Sequence, residues 1–289
     1  MHYIEEKINN FLSNCALPPD LLERLSEEAV AKLREQFIER FTAKPVEPFR
    51  LRMSNIGLPL RTLCLLKKYG SKYKEADIKF KLSGFYGTML ESLLFFLLEA
   101  SKCNINAKNK KVGLNVEGTT LLGELDIIID GVVYDVKSAS NYSYTNKFKC
   151  FESLASEDSF GYVSQGFGYA LAEKLPFGGW LVINKEKGIF KVCEVPLDKV
   201  VQIKYKKSVL QDIKTKIHHL NNDLPIPPCT GVVKEFFNKK ETGNLILDKN
   251  CQYCNFKDIC YPEAKCLPDV NSKAIVKTTK YYIGKIIRP

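Results

Sequence analysis

Apolar side chains return every third or fourth residue at Leu22, Leu25, Ala29, Leu33, Phe37 and Phe41, with glutamates and arginines between them. That spacing lies along one face of a helix and predicts an amphipathic helix over residues 19–41. Pro18 and Pro19 mark its start, and Pro45 and Pro48 follow its end. Residues 1–50 therefore read as an N-terminal helical cap. A second helix is expected from Gly84 to Ser101. Tyr86, Met89, Leu90, Leu93, Leu94, Phe96 and Leu97 make it apolar almost all round, so it should be buried. Glu91, four residues after Gly87, interrupts that surface. A lone acid on a buried helix needs a partner or a metal, unless it faces the one wet edge.

The hydrophobic period then shortens to two. Strands are predicted at Val112–Val116, Gly123–Ile129 and Val132–Ser138. A helix follows over Ser159–Lys174, with Gln165 and Tyr169 on one face, and then strands at Trp180–Asn184 and Ile189–Val195. Helix, strands, helix, strands is the order of an α/β domain with a mixed sheet and helices on its faces.

Asp130-Gly131 is a two-residue turn signal between β-branched runs. It sets Ile127 opposite Tyr134, Asp126 opposite Asp135 and Glu124 opposite Lys137. By alternation Glu124, Asp126, Asp135 and Lys137 share one face, and Ile127, Ile129, Val132, Tyr134 and Val136 share the other. Two carboxylates facing each other destabilise a sheet, where a good cross-strand pair contributes about 0.2–1 kcal/mol. A divalent cation between them removes the conflict, and magnesium takes one or two carboxylates plus waters and phosphates. The competing reading is a plain Glu124–Lys137 salt bridge with both aspartates solvated.

The 289 residues suffice for one large core, or one core plus an accessory module. No apolar run approaches the roughly 20 residues of a membrane span. The first residues lack the pattern of a signal peptide, so a cytoplasmic protein without a membrane partner is expected. The net charge of +10 favours an anionic partner, most simply nucleic acid, and basic residues are dense at Lys204–Lys216 and Lys273–Arg288. Of ten cysteines, five fall late, at 229, 251, 254, 260 and 266. Cys251-x2-Cys254-x5-Cys260 is metal-ligand spacing. A thiolate site needs a fourth ligand, for which Cys229 is the nearest candidate and Cys266 and Cys64 the others. An iron–sulfur cluster or zinc fits such donors; a single Cys-x2-Cys pair favours the four-iron cluster, because zinc prefers two.

Gly87-x3-Glu91, Gly123-x2-Asp126, Asp135-x-Lys137 and Gln165-x3-Tyr169 follow in that order, with the cysteine run behind them. Over roughly residues 51–266 this resembles the RecB-like branch of the PD-(D/E)xK nucleases, in its iron–sulfur version, which includes AddB-type and CRISPR-associated exonucleases and phage-borne relatives. Glu91 stands where that family commonly has histidine. The resemblance implies a restriction-endonuclease-like core over 51–225, a cysteine module over 226–267 and a basic tail over 268–289. It implies Mg2+ or Mn2+ on Asp126, Asp135, the Val136 carbonyl and Glu91, with Lys137, Gln165 and Tyr169 completing a catalytic set. It also implies a [4Fe-4S] cluster on Cys251, Cys254, Cys260 and Cys229, and a DNA substrate cleaved by an exonuclease working with recombination or replication proteins in a bacterial or phage-infected cell. That family takes its first cluster cysteine from upstream of the core, where Cys64 stands.

Overall fold

Every position from Phe177 to Asn184 is buried, the mark of a central strand covered on both faces. The computed structural model describes residues 1–14, 16–42, 48–70, 78–156, 158–227, 231–269 and 277–286. They divide into two units: Met1–Glu47, Leu51–Gly57 and Ala76–Asn221 form one, and Pro48–Arg50, Leu58–Glu75 and Asn222–Pro289 the other.

In the first unit, β1 (Ile105–Val116), β2 (Thr119–Ile129), β3 (Val132–Ala139), β4 (Phe177–Asn184) and β5 (Ile189–Glu194) form one mixed sheet in that order. Only β3 and β4 run parallel, so the chain must cross over between them. One face packs on α1 (Tyr3–Asn14) and α4 (Ile78–Ala100), burying Ile4, Ile8, Leu94 and Leu98 against Ile127, Ile129, Tyr134 and Leu181. The other face packs on the short α5 (Phe151–Ser156), on α6 (Tyr162–Glu173) and on α7 (Lys199–Asn221). There Phe167, Tyr169, Ile213 and Ile217 join Leu125, Ile128, Val133 and Trp180. Full burial of such side chains contributes about 1.5–3 kcal/mol each. The unit is a mixed α/β structure, as the order of periods predicts.

Three expectations change. Helix α2 runs Pro19–Phe41 as predicted, but α4 starts earlier than Gly84 and is not buried all round. Leu82 and Leu93 are 66% and 50% exposed, because only the stripe through Leu90, Leu94 and Leu98 meets the sheet. Strand β1 begins well before Val112, its alternation hidden by lysines that form ion pairs, Lys108 with Glu99 and Lys110 with Glu173. The basic stretch on α7 is largely committed within the unit. Buried Lys216 donates to the Ile56 carbonyl at 2.5 Å, Lys206 donates to the Leu175 carbonyl at 2.7 Å, and Lys214 lies 3.5 Å from Glu117. Among the described residues no helix is long and apolar enough to cross a membrane.

The second unit holds α3 (Leu60–Tyr69) and an antiparallel sheet of β6 (Val232–Phe237), β7 (Lys240–Leu247), β8 (Lys265–Pro268) and β9 (Thr279–Ile283), in the order β6-β7-β9-β8. The short helices α8 (Lys249–Tyr253) and α9 (Lys257–Cys260) lie between β7 and β8 in sequence. Residues 268–289 are therefore not simply a basic tail, since β9 is an interior strand. Its lysine is neutralised: Lys280 lies 2.8 Å from Glu235 and 2.9 Å from Asp269. The β6–β7 hairpin is hidden in the sequence because its turn is Asn238-Lys239, both at positive φ, without the usual glycine.

Glu235 is fully buried and accepts hydrogen bonds from Lys280, Asn244, Thr242 and Tyr282. Burial opposes its charge, but the bonds from Lys280, Asn244 and Thr242 outweigh burial and hold the carboxyl below its ordinary value. A depressed carboxyl stabilises the fold above the unfolded value, and that contribution is lost as pH falls through the folded one. Lys280→Ala leaves the carboxylate without its cation. It is expected to cost about 2–3 kcal/mol, at the low end for a buried pair because Lys280 is partly exposed. Thermal denaturation measures this; an unchanged melting temperature would make the network energetically idle.

Candidate active site

The ladder between β2 and β3 is short. It pairs Ile129 with Val132, Ile128 with Val133 and Ile127 with Tyr134, and stops there. Beyond it β3 stays with β4 and β2 stays with β1, so the two strands part. Asp126 and Asp135 are the first residues past the last pair. The parting leaves backbone groups without ladder partners, and Asp126 supplies one: the Val136 amide donates to its Oδ2 at 2.6 Å. Asp135 is 2% exposed. Lys137 Nζ lies 2.6 Å from Asp135 Oδ2, while Oδ1 has no hydrogen-bond partner among the described residues.

Glu124 does not join them. Alternation breaks between Leu125, which packs on the α6 side, and Ile127, which packs on the α4 side. Opposite the break Asn109 has φ of 47°, and no pair is made between Asn109 and Asp126. Glu124 is carried outward, with Oε1 3.9 Å from Lys32 Nζ on α2. Lys137 therefore pairs with Asp135, and among the described residues the competing Glu124–Lys137 bridge is not made.

The charges act on one another strongly. Burial pushes the Asp126 carboxyl well above the usual range, and the neighbouring Asp135 and Glu91 push it further. Burial also raises Asp135, against the pull of Lys137. Glu91 is raised by burial too, with Lys32 and Lys137 opposing and Asp135 and Glu124 adding. Burial works against the charge on Lys137, but Asp135 and Asp126 outweigh it and hold the ammonium protonated above its ordinary value. Helices from opposite faces of the sheet thus converge at the split, α4 bringing Glu91 and α6 bringing Tyr169. Burial pushes the Tyr169 phenol up to about 12, although a hydrogen bond with Gln165 works the other way.

Close packing permits this convergence. A Cβ on Gly123 would lie 2.6 Å from Met53 Cβ and 2.9 Å from Tyr169 Cε1. The glycine of Gly123-x2-Asp126 lets α6 reach the strand. Glu91, Asp126, Asp135, Lys137 and Tyr169 gather as the sequence predicts. Gln165 is hydrogen-bonded to Tyr169, and Val136 is tied in through its amide. Two neighbours escaped the sequence reading: Tyr162, whose ring centre is 5.0 Å from Lys137 Nζ, and Lys32. The signal for Tyr162 was present, since residues 162, 165 and 169 fall on one helical face.

The donor set fits a divalent cation. It is made of hard oxygens, two of its carboxyls are forced together, and a buried oxygen of Asp135 is unsatisfied. Among the described residues no three His, Cys, Asp or Glu side chains already form a metal-ligating group. Magnesium does not require one, because it keeps several waters and takes one or two carboxylates.

In the second unit, Cys251, Cys254 and Cys260 line one cavity of 360 Å³ with Leu60, Arg61 and Leu65 of α3. Cys251 is buried and the other two are half-buried. Asp248 caps α8 by accepting from the Cys251 amide at 2.8 Å, and Arg61 Nε donates to Cys260 Sγ at 3.1 Å. Three thiols around one cavity fit a thiolate-bound metal or cluster. Cys64 is buried on α3, one turn beyond Leu60 and Arg61. Cys266 is exposed on β8, and Cys229 lies outside the described residues.

No protein-family model and no curated protein matches the chain. Among solved structures, the one titled "Crystal structure of SSO0001" is similar over 83% of this chain and 95% of that chain, at 18% identity and a TM-score of 0.43. A likeness of that degree assigns neither fold nor activity.

Two outcomes follow from the geometry. Carboxyls raised in the folded state stabilise it at low pH, and that contribution is lost as pH rises through their raised values. In chelator, Asp126→Asn should therefore raise the melting temperature at pH about 8 relative to the parent and leave it nearer the parent at pH about 5. Mn2+ should stabilise the parent and not the variant. An identical response of both proteins to pH and Mn2+ would remove the carboxylate pair from any cation site. Cys254→Ser and Cys260→Ser should lower bound metal as much as Cys251→Ser does, measured by elemental analysis of anaerobically purified protein, whereas Cys266→Ser should not. Full metal content in all three variants would remove these thiols from any metal site, and loss in Cys64→Ser would favour Cys64 over Cys229 as the fourth ligand.

Proposed function

We propose that the chain is a metal-dependent nuclease that hydrolyses phosphodiester bonds in DNA, on a restriction-endonuclease-like core of the RecB-like branch. The observation that carries the reading is the split between β2 and β3, where Asp126, Asp135 and Lys137 are buried together. A structural ion pair needs one acid for one lysine. Here two acids face one lysine, Glu91 approaches as a third, and one carboxylate oxygen is left unsatisfied. The surplus of negative oxygen is what a cation and a phosphate use. Asp126, Asp135 and Glu91 would hold Mg2+ or Mn2+, with the Val136 carbonyl beside them. When bound, the metal supplies a polarised phosphate and a water of lowered pKa.

The remaining roles belong to the chain. Lys137, whose ammonium is favoured by Asp135 and Asp126, donates to the water or to the oxygens that gain charge on the phosphate. Asp135 aims Lys137 through their ion pair. Asp126 keeps the split open by holding the Val136 amide. Tyr169 covers the site and excludes water, with Gln165 orienting its phenol. The net charge of +10 supports a polyanionic substrate. The cysteine cavity supports a [4Fe-4S] cluster, with zinc as the other occupant such thiols accept, in a structural role. The same reading makes the protein a cytoplasmic exonuclease acting with recombination or replication proteins.

Incubation of end-labelled linear DNA with Mn2+ is the test. Asp135→Asn and Lys137→Ala should each lower cleavage by about 10²-fold or more, as loss of an electrostatic stabiliser does. Lys137→Ala should keep its stabilisation by Mn2+. A parent protein that binds DNA and never cuts it would instead be a nucleic-acid-binding or assembly subunit.

A further inference from the structure

The lysine of the candidate site stands against an aromatic series that ends in solvent. Lys137 Nζ lies 5.0 Å from the centre of the Tyr162 ring. Phe148 lies nearly parallel to that ring, at 5.9 Å and 22°, and Phe160 lies parallel as well, at 5.5 Å and 19°. Exposure rises along the series. Phe148 is 3% exposed, Tyr162 is half-buried and Phe160 is 52% exposed. Lys147 places a second cation against the same rings, 4.4 Å from the centre of Phe160 and 4.8 Å from that of Tyr162.

Phe160 is held in this exposed position. Both oxygens of Asp158 accept from the start of α6, from the Tyr162 amide at 2.9 Å and the Val163 amide at 2.8 Å. Gly161, at φ of 74°, packs backbone to backbone on Gly57, where a Cβ on either residue would come within 2.3 Å of the other's Cα. The loop is clamped on both sides of the phenyl ring's attachment. A phenylalanine fixed half in water forgoes part of the roughly 1.5–3 kcal/mol that full burial would contribute. A rigid, outward aromatic next to two ammonium groups matches one chemistry well: a flat base on the ring and a phosphate near the cations.

We propose that Phe160 is the stacking platform for one nucleobase of the substrate, next to the nucleotide whose phosphate lies at Lys137. The inference rests on the reading of that site as phosphodiester-cleaving. The base extends the ring series beyond Phe160, Lys137 supplies positive charge to the adjacent phosphate, and the buried Lys147 ammonium holds the Phe160 and Tyr162 rings in place. Stacking accepts any base, so the platform sets reach and register rather than sequence. The base it holds is drawn out of any duplex.

The test uses the full chain in chelator, where nothing is cut, and a short DNA oligonucleotide carrying one 2-aminopurine. The fluorescence of that base falls when it stacks on an aromatic ring. With the probe moved along the strand, the parent protein should quench it most at one position. Phe160→Leu should abolish that quenching and weaken binding about five- to hundredfold, as removal of a stacking ring does. Phe160→Trp should restore both. An abasic residue at the quenched position should erase the difference between the parent and Phe160→Leu. Equal affinity and equal quenching in the parent and Phe160→Leu, with Mn2+-dependent cleavage intact, would overturn the platform alone. A parent protein that neither binds nor cuts any oligonucleotide would overturn the nuclease reading and the platform with it. A Phe160→Leu protein that loses a protein partner but keeps DNA affinity would assign the ring to protein docking instead, against the proposal.

Discussion

Two carboxylates cannot be buried side by side as anions without something positive between them. Asp126 and Asp135 are placed that way by the point at which β2 and β3 part company. The parting also explains the burial of Lys137 beside Asp135, and the capture of the Val136 amide by Asp126. A single lysine balances only one of the two charges. The rest of the first unit is arranged around that imbalance: a sheet covered on both faces, so that its open corner is desolvated, and a helix from each face that ends its approach there. Low polarity around the corner strengthens every charge interaction within it, and leaves an unsatisfied oxygen costly.

Glycines and aromatic rings give the corner its shape. Gly123 removes the one side chain that would keep Tyr169 away from β2, and Gly87 brings α4 within reach of β3, where a Cβ would lie 3.2 Å from Ser138 Oγ. Tyr162 then lies over Lys137, with Phe160 outside it. The same α6 that closes the site on one side therefore begins beside a ring that faces solvent. Its first turn is tied by Asp158, which is also among the charges that raise Asp135.

Much of this was legible in the chain. The Asp130-Gly131 turn sets the pairing of Ile127 with Tyr134, as observed. The ordered pairs Gly87/Glu91, Gly123/Asp126 and Asp135/Lys137 name most of the residues that meet. What local pattern could not supply was the break in β2. Strict alternation put Glu124 on the face of Lys137, but the irregularity opposite Asn109 turned it toward Lys32 on a helix about ninety positions earlier. Local charge density likewise did not show which lysines are paired. Within the basic stretches at Lys204–Lys216 and Lys273–Arg288, Lys216 and Lys280 are bound to carboxylates. Net charge is additive along a sequence, whereas ion pairing depends on tertiary neighbours.

The central claim is that the Asp126–Asp135 corner exists to hold a divalent cation. Burial and the neighbouring Asp135 make the Asp126 carboxyl hold a proton more tightly in the metal-free protein, so a cation that binds there competes with that proton. Calorimetric titration of Mn2+ at pH about 6, in two buffers of different ionisation enthalpy, counts the protons directly. Binding to the parent protein with net proton release, and a smaller release or no binding in Asp126→Asn, is the predicted result. Binding without any proton release, or the same release from the parent and Asp126→Asn, would contradict it.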